Sequence, residues 1–521
     1  MEFRPRLTSY LMTVAVGVFL CASTLANEPR QNQAPTLRRQ TDDQTIKFAK
    51  EAVDSNPESA EAHFLLGQAY GRASRLEEAI DSFKEAIRLK PNYELAHSQL
   101  GLAYKGVGRY EEEILAYKSA LAAVPNSVLL LDRLSSALRQ RKRFSEAVEI
   151  QNRLIELSPE DAGARTVLGW MLMNLRRYDE AVAALKEAIR LRPEFAPAHY
   201  YLGAAYGNLQ RFEEALSEYR QSLEVDPPYS RPEVIYTEIS QLQKRLRRYS
   251  ESIQAGRKAI EIEPRMLDAY CHVARCYFEM GRYQEAIDVL NAGLTMLPND
   301  ETLTTSLGDN YAGLGRLADA EKAYREVMRA TNGSIEARLR LASVLSKQRK
   351  DVEAETLLRS VVELAPRNTN AHVALAAVLE HQGKLAESEK EDRKALELEP
   401  NNALVLNNIG YAMVERGERL EEALELIQRA VSVEPGNPAY LDSLGRAYYK
   451  LGKYAEAEQP LLETARQLPD VAEVQEHLGD LYEGWGKPDQ ARAAYQRALS
   501  LSRQPAETAR LKKKLAAPPK K

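Results

Sequence analysis

The sequence is poor in cysteine, tryptophan and phenylalanine. Its 521 residues include three cysteines, two tryptophans and nine phenylalanines. Beyond the first 26 residues the cysteines are Cys271 and Cys276, whose spacing of five places them on different sides of a helix, where no relaxed disulfide forms. The fold is therefore expected to depend on buried apolar surface and not on covalent cross-links.

Sequence motifs of catalysis and a strong charge of one sign are also missing. No Walker-type phosphate loop, zinc-protease motif or nucleophile elbow occurs. Basic and acidic residues number 71 and 75, are interleaved, and leave a formal charge of −4, which argues against duplex nucleic acid as the main partner. The lysines at the C-terminus, Lys512 to Lys514, Lys520 and Lys521, are interpreted as a solvated cap and tail, with contact to an anionic lipid or polymer as the alternative. We expect no catalysis, no cofactor, no metal site and no nucleic-acid partner.

Long apolar runs are absent except near the N-terminus. Arg4 and Arg6 precede an apolar run over residues 11–22, and small residues lead to Ala26. This layout predicts a secretory signal peptide over residues 1–26, followed by a polar linker over 27–41. Two alternatives stay open: lipidation at Cys21, or an uncleaved anchor, although the run is shorter than the ~20 residues of a spanning helix. We expect an exported, periplasmic or cell-envelope protein that contacts a membrane only through an uncleaved N-terminus.

Proline recurs with a period of 34 residues over most of the chain. The positions are Pro57, Pro91, Pro125, Pro159, Pro193 and Pro227, then Pro264 and Pro298 after a shift of three residues, and Pro366, Pro400, Pro435 and Pro469. A fixed period of this length indicates a stack of small, similar units and not one globular core.

Each unit carries large and small residues at fixed positions, as its first complete copy shows. Leu66, Gly67 and Tyr70 lie in the first half, and Phe83 lies between two alanines in the second. Apolar residues three and four apart indicate helices, so each unit is predicted to be a pair of antiparallel helices. Four histidines, His63, His97, His199 and His372, share one repeat position and are interpreted as packing residues.

This pattern resembles the tetratricopeptide repeat, whose signature is Leu-Gly, Tyr, Ala, Phe, Ala and Pro at these spacings. About 13 copies are predicted, beginning at residues 60, 94, 128, 162, 196, 233, 267, 301, 335, 369, 403, 438 and 472. The sixth copy is the weakest match. The resemblance implies an all-α fold, a right-handed α-solenoid superhelix of helix-turn-helix units. Around the array at 60–505 we expect a leading half-repeat helix at 42–59 and a capping helix with a basic tail at 506–521.

The resemblance also implies where a partner binds. Arrays of this family bind segments of other proteins on a concave wall formed by the first helix of each repeat. The candidate wall residues are Arg133, Arg139, Trp170, Asn174, Tyr200, Tyr201, Asn208, Lys244, Arg245, Arg275 and Phe278. The last copy adds Glu473, Glu476, Asp480 and Glu483, which predicts an acidic end to the wall.

The expected function is a non-catalytic scaffold or adaptor of the cell envelope that binds a protein partner along this groove. The alternative is a periplasmic accessory subunit of an export or exopolysaccharide-assembly machine. A third class, the repeat half of an enzyme, is disfavoured because no region outside the repeats has the ~100 residues of an ordinary catalytic domain.

Overall fold

The computed structural model describes residues 35–516, with side chains from residue 42 onwards. Over this range the chain forms 28 helices, α1 to α28, and no strand. The predicted signal peptide and the first part of the predicted linker lie outside the described residues. The prediction of an all-α solenoid is confirmed: helices α2 to α27 follow one another as thirteen helix pairs, and within each of the two compact units given below neighbouring pairs pack on one another.

The pairs begin where the repeat pattern predicts, except that the sixth begins one residue earlier, at Pro232. The first helices are α2 (Ala60–Arg72), α4 (Glu94–Gly106), α6 (Val128–Gln140), α8 (Ala162–Asn174), α10 (Ala196–Asn208), α12 (Pro232–Arg245), α14 (Leu267–Glu279), α16 (Glu301–Gly313), α18 (Ile335–Lys347), α20 (Thr369–His381), α22 (Ala403–Arg416), α24 (Pro438–Lys450) and α26 (Ala472–Gly484). The second helices are α3 (Leu76–Leu89), α5 (Tyr110–Ala123), α7 (Phe144–Leu157), α9 (Tyr178–Leu191), α11 (Phe212–Glu224), α13 (Tyr249–Ile262), α15 (Tyr283–Met296), α17 (Leu317–Ala330), α19 (Asp351–Leu364), α21 (Leu385–Leu398), α23 (Leu420–Val433), α25 (Tyr454–Gln467) and α27 (Pro488–Leu501).

The two helices that flank the array differ slightly from their predicted limits. Helix α1 (Pro35–Ser55) begins seven residues before the predicted start at Asp42, inside the predicted linker. Pro35 is the first helical residue, where its fixed φ suits a helix and its missing N–H is not needed. Helix α28 (Pro505–Ala516) covers the last pair and buries Leu511 completely.

The small residue of each first helix is required by close helix packing. A Cβ placed on Gly203 would lie 2.8 Å from the ring of Tyr219, and one placed on Gly67 would lie 2.6 Å from the ring of Phe83. Both rings are almost fully buried. The repeats that carry this glycine therefore bring a backbone against a large side chain of the second helix, as close packing demands.

The histidines that share one repeat position link each repeat to the turn before it. The Nε2 atoms of His63, His97, His199 and His372 lie 2.8 to 3.0 Å from the carbonyl oxygens of Pro57, Pro91, Pro193 and Pro366. Elsewhere Arg165 and Tyr270 donate to the matching carbonyls of Pro159 and Pro264. The four histidines were expected to be packing residues. In the structure each one also forms a hydrogen bond with the carbonyl of the preceding proline turn.

The chain divides into two compact units, unit 1 up to Cys276 and unit 2 from Tyr277. In unit 1, α2 contacts α4, α4 contacts α6 and α8 contacts α10, and in unit 2 α22 contacts α24. Within either unit, no two neighbouring second helices of the described residues make contacts as extensive. Within each unit the first helices of neighbouring repeats are therefore more closely spaced than the second helices. None of the described helices has the length and apolarity that crossing a membrane requires.

Candidate functional site

The candidate residues predicted from the sequence all lie on consecutive first helices. Arg133 and Arg139 belong to α6, Trp170 and Asn174 to α8, Tyr200, Tyr201 and Asn208 to α10, Lys244 and Arg245 to α12, and Arg275 and Phe278 to α14. We call the surface formed by Arg133, Arg139, Trp170, Tyr200, Tyr201 and Lys244 the unit 1 face.

The centre of the unit 1 face is a contact between three first helices. The guanidinium carbon of Arg139 lies 6.0 Å from the centroid of the Trp170 ring, at the limit of a cation–π contact. Trp170 is half-buried, and its ring meets the ring of Phe144 edge-on at 5.5 Å. Tyr201 is also half-buried and interacts electrostatically with Arg139. The structure thus brings together Arg139, Trp170 and Tyr201, which are far apart in sequence.

Tyr200 is held in a cluster of tyrosines beside this centre. Its ring stacks on Tyr229 with centroids 4.4 Å apart and touches the rings of Tyr201 and Tyr219 at 5.1 and 5.8 Å. Burial raises the pKa of Tyr200 to about 12, so its phenol stays neutral at physiological pH. Tyr229 lies in the irregular turn before α12, which folds back so that its amide donates to the Ser222 carbonyl at 2.9 Å. Tyr200 therefore supports the face by packing more than it offers itself to a partner.

The cations of the unit 1 face have unused hydrogen-bonding capacity. Arg133, Arg139 and Lys244 form no ion pair with any described residue, and the buried Nε atoms of both arginines lack an acceptor. Burial lowers the pKa of Arg139, an effect that Asp132 partly offsets. A buried donor without an acceptor is costly, so an acceptor supplied from outside is favourable here.

The other predicted residues stand apart from this centre. Asn174 and Asn208 are exposed, and their side-chain amides donate to carbonyls of their own helices, each at 2.9 Å. The Arg245 guanidinium lies 5.9 Å from the Phe212 ring, and Phe278, which belongs to unit 2, meets Tyr283 edge-on at 5.3 Å. Arg275 is exposed on α14.

The acidic end expected at the last repeat is partly neutralised from within the chain, because two of its four residues, Glu476 and Asp480, pair with cations of α28. Arg510 of α28 donates to both oxygens of Glu476 at 2.8 and 2.6 Å. Lys514 lies 2.8 Å from Glu476 and also contacts Asp480. Burial alone would raise the pKa of Glu476, but the hydrogen bonds from Arg510 and Lys514 outweigh burial and lower it to about 2. The capping helix uses the acidic residues for docking.

Three residues of interest escaped the sequence analysis. Tyr229 lies in a turn, outside the repeat pattern. His272, on α14, has a buried Nδ1 without a partner, and burial together with Lys244 lowers its pKa. Asp392 of α21 occupies a position that is large and apolar in most repeats, a departure that an alignment of the copies reveals. Within residues 35–516, no group of three or more His, Cys, Asp or Glu side chains is arranged to hold a metal ion.

Two solved structures resemble the chain in fold, at low similarity. The crystal structure of the APC/C hetero-tetramer Cut9-Hcn1 aligns with a TM-score of 0.43 and 15% identity, over 88% of this chain and 96% of the other. A structure of Naa15/Naa10 bound to HypK-THB aligns with a TM-score of 0.35 and 15% identity, over 92% and 95%. A search of curated proteins gave no match.

Family models match the chain through most of its length. One tetratricopeptide repeat model matches residues 98–162, 166–230, 414–472 and 443–508, and a second matches 245–304 and 311–378. A further model, described as TPR repeat, matches residues 73–108. With thirteen helix pairs in the described structure, these matches show that the chain belongs to the tetratricopeptide repeat proteins.

Proposed function

We propose that this chain is a non-catalytic scaffold that binds a partner protein through the unit 1 face. The observation that supports this most directly is the cluster of Arg139, Trp170 and Tyr201 on three consecutive first helices. Tryptophan, tyrosine and arginine are the residue types that concentrate binding energy at protein interfaces. Tetratricopeptide arrays are in general interaction scaffolds, and the two solved structures above are titled as assemblies with other proteins.

The chemistry of the face favours a segment with acidic and apolar side chains. Arg133 and Arg139 lack carboxylate partners among the described residues, and a carboxylate from a partner would give charge-assisted hydrogen bonds. The half-buried rings of Trp170 and Tyr201 offer rigid apolar area beside them. A basic partner segment would meet uncompensated cations and bind poorly.

The test is affinity capture of partners from the source organism with two variants of the full chain. The first variant carries Arg139→Ala, Trp170→Ala and Tyr201→Ala. The control carries Arg190→Ala, Arg220→Ala and Leu157→Ala, one exposed residue on each of three second helices. We expect a partner that the parent and the control retain and that the first variant binds at least about tenfold more weakly, because interface hot spots each contribute more than the energy of a tenfold change.

Thermal unfolding of both variants checks that loss of binding is not loss of folding. Equal retention of every captured protein by the parent, the control and the first variant contradicts a binding role of the unit 1 face.

We further propose that the chain is exported to the cell envelope. This rests on residues 1–26, in which Arg4 and Arg6 precede the apolar run that ends before Ala26. Intact-mass measurement of the protein purified from its native host tests the proposal: a mature chain that begins at Asn27 supports it. Masses that include Met1 or a lipid on Cys21 identify the anchored alternatives, and a full-length chain found only in the cytosolic fraction contradicts export.

A further inference from the structure

One position of the repeat departs from its pattern in an informative way. It lies on the second helix, four residues after that helix's small residue, as Phe83 follows Ala79. In the repeats with a glycine on the first helix, its side chain packs against that glycine. In ten repeats it is large and apolar or aromatic: Phe83, Tyr117, Leu185, Tyr219, Leu290, Tyr324, Leu358, Ile427, Leu461 and Tyr495. The three exceptions are Gln151, Gly256 and Asp392.

The first two exceptions are compensated within their own surroundings. Gln151 accepts a hydrogen bond from Ser135 at 2.7 Å and donates to the Ala164 carbonyl at 3.0 Å. At Gly256 a Cβ would lie 2.4 Å from a methyl group of Val273, so glycine makes room for the next repeat. Neither position leaves a buried polar atom that needs a further partner.

Asp392 is not compensated in this way. Its side chain is only 7% exposed, and its buried Oδ1 accepts no hydrogen bond. It lines a small cavity of about 20 Å³ where α20, α21 and α22 meet, together with Glu380, Asn408 and Arg416. A single water needs roughly 10–15 Å³ measured in this way, so the cavity admits one group of about that size.

The cations around the cavity are already engaged by other carboxylates. The Arg416 guanidinium lies 3.1 Å from Glu389 and 3.2 Å from Glu418, and Arg393 and Arg419 also pair with Glu389. Asp392 therefore has no ion-pair partner among residues 42–516.

Two further carboxylates set the local charge. Glu391 pairs with His372 at 2.7 Å, whereas Glu380, exposed at the edge of the cavity, forms no ion pair with a described residue. Burial, together with Glu380, Glu389 and Glu391, raises the pKa of Asp392 to about 7. The cavity is thus small and acidic, and the cation in its wall, Arg416, is already paired with Glu389 and Glu418.

We propose that this cavity between α20, α21 and α22 binds the ammonium group of a lysine side chain from a partner protein, with Asp392 and Glu380 as its carboxylate ligands. The ammonium group is compact and carries three donors, whereas a planar guanidinium needs more room than the cavity offers. Asn408, half-buried on the first helix α22, also lines the cavity, and its side-chain amide oxygen is a further acceptor for the ammonium group. This inference rests on the proposed function only in taking the occupant to be a protein.

The binding test follows the ionisation of Asp392 in the full chain. Carboxyl-¹³C aspartate labelling, with Asp392→Asn to assign the signal, gives its titration curve by NMR. The probes are acetyl-Gly-Lys-Gly-amide, the same peptide acetylated on its lysine, and n-butylammonium, each at matched ionic strength. We expect the lysine peptide to lower the midpoint by about one pH unit, which corresponds to roughly tenfold preference for the ionised carboxylate, and the acetylated peptide to leave it unchanged.

The arms of this test separate the sources of an ammonium group. A shift with n-butylammonium and none with the lysine peptide overturns the assignment to a partner lysine, and equal shifts with the lysine peptide and its acetylated form overturn ammonium recognition. No shift with any probe overturns the site. The unit 1 variant Arg139→Ala, Trp170→Ala and Tyr201→Ala is expected to show the same shift as the parent, so failure of this site and failure of the unit 1 face are distinguishable.

A second variant separates binding from a structural role. Asp392→Leu restores the residue found at this position in four other repeats, and we expect its Tm at pH 8 to exceed that of the parent because an uncompensated buried carboxylate is replaced by an apolar group that fits. A lower Tm at pH 8 would show that Asp392 supports the fold and would overturn its assignment as a ligand.

Discussion

The first helices of unit 1 and unit 2 use their charged side chains differently. In unit 2, Arg340 pairs with Asp309 of the preceding repeat and with Glu336 at 2.8 Å, and Arg446 pairs with Glu415. In unit 1, Arg133 and Arg139 form no ion pair with a described residue. The same repeat can therefore join its neighbours through ion pairs, or leave its charges for a ligand.

This difference separates surfaces that stabilise the array from surfaces available for binding. Charges that bridge neighbouring repeats add to the interface terms on which a repeat protein depends. Charges without partners add little to stability, and removing them changes what the face can recognise. Substitutions in the two units should consequently affect different measurements.

The largest expected effect follows removal of the paired cations at the C-terminal end of unit 2. Arg510→Ala with Lys514→Ala leaves Glu476, which is 4% exposed, without its partners. We expect a loss of about 3 kcal/mol in the free energy of unfolding, the low end for a broken buried pair because the Arg510 side chain is 56% exposed. Denaturant unfolding, with hydrogen exchange over α28, measures this effect.

The matched control for that variant is Lys512→Ala with Lys513→Ala, which removes the same charge from exposed positions of the same helix. Equal stability of the two double variants would mean that ion pairing does not dock α28.

The next effect tests packing within unit 1. Gly203→Ala places a methyl group 2.8 Å from the buried Tyr219 ring, and we expect a loss of about 2 kcal/mol from overpacking. In the same helix, a Cβ on Gly207 meets only Leu242, at 3.9 Å, so Gly207→Ala should be neutral or stabilising by up to about 1 kcal/mol. In the Gly203→Ala variant, hydrogen exchange should show reduced protection in the adjacent repeats before the ends of the array. Equal free energies of unfolding for Gly203→Ala and Gly207→Ala would exclude close packing at Gly203.

A third effect depends on pH and concerns Asp392 in unit 2. Because the folded-state pKa of Asp392 is raised to about 7, the folded chain holds a proton that the unfolded chain has already released. Stability is therefore fully present at low pH and falls as pH rises towards 7. Between pH 5.5 and 7.5 we expect the parent to lose roughly 1 to 2 kcal/mol relative to Asp392→Asn, which does not titrate.

Denaturant midpoints at several pH values measure this difference. Asp81→Asn, the same change at an exposed residue of α3, is the control and should show no such trend. A difference between parent and Asp392→Asn that does not vary with pH would contradict a raised pKa of Asp392.

The repeat periodicity predicts much of the fold because each helix boundary follows from a local signal. The repeated proline, as at Pro91, marks a turn, and the repeated small residue, as at Gly67, marks a helix crossing. The helix pairs begin at the predicted residues with one exception. The start of α1 was misplaced because Pro35 was interpreted as part of a linker, although proline is also favoured at the first helical position.

The site was less predictable because its properties depend on distant residues. The sequence predicts which residues of α6, α8 and α10 belong to one wall, but not that Tyr229 stacks on Tyr200 or that Arg510 neutralises Glu476. These contacts join residues in turns and in the capping helix, which lie outside the repeat pattern. Ion pairing between residues of different repeats has no local sequence signal. It determines which charged side chains remain without a partner inside the chain.

The smallest stability effect is expected where the two units contrast most directly. Arg133→Ala with Arg139→Ala should lower the free energy of unfolding by no more than about 0.5 kcal/mol, since neither arginine has an ion-pair partner to lose among the described residues. The matched variant of unit 2, Arg340→Ala with Arg446→Ala, should cost more because it leaves Asp309 and Glu415 unpaired. Denaturant unfolding of both double variants decides this: a larger loss for the unit 1 variant would mean that its arginines stabilise the array, and the unit 1 face would then have no charge left for a partner.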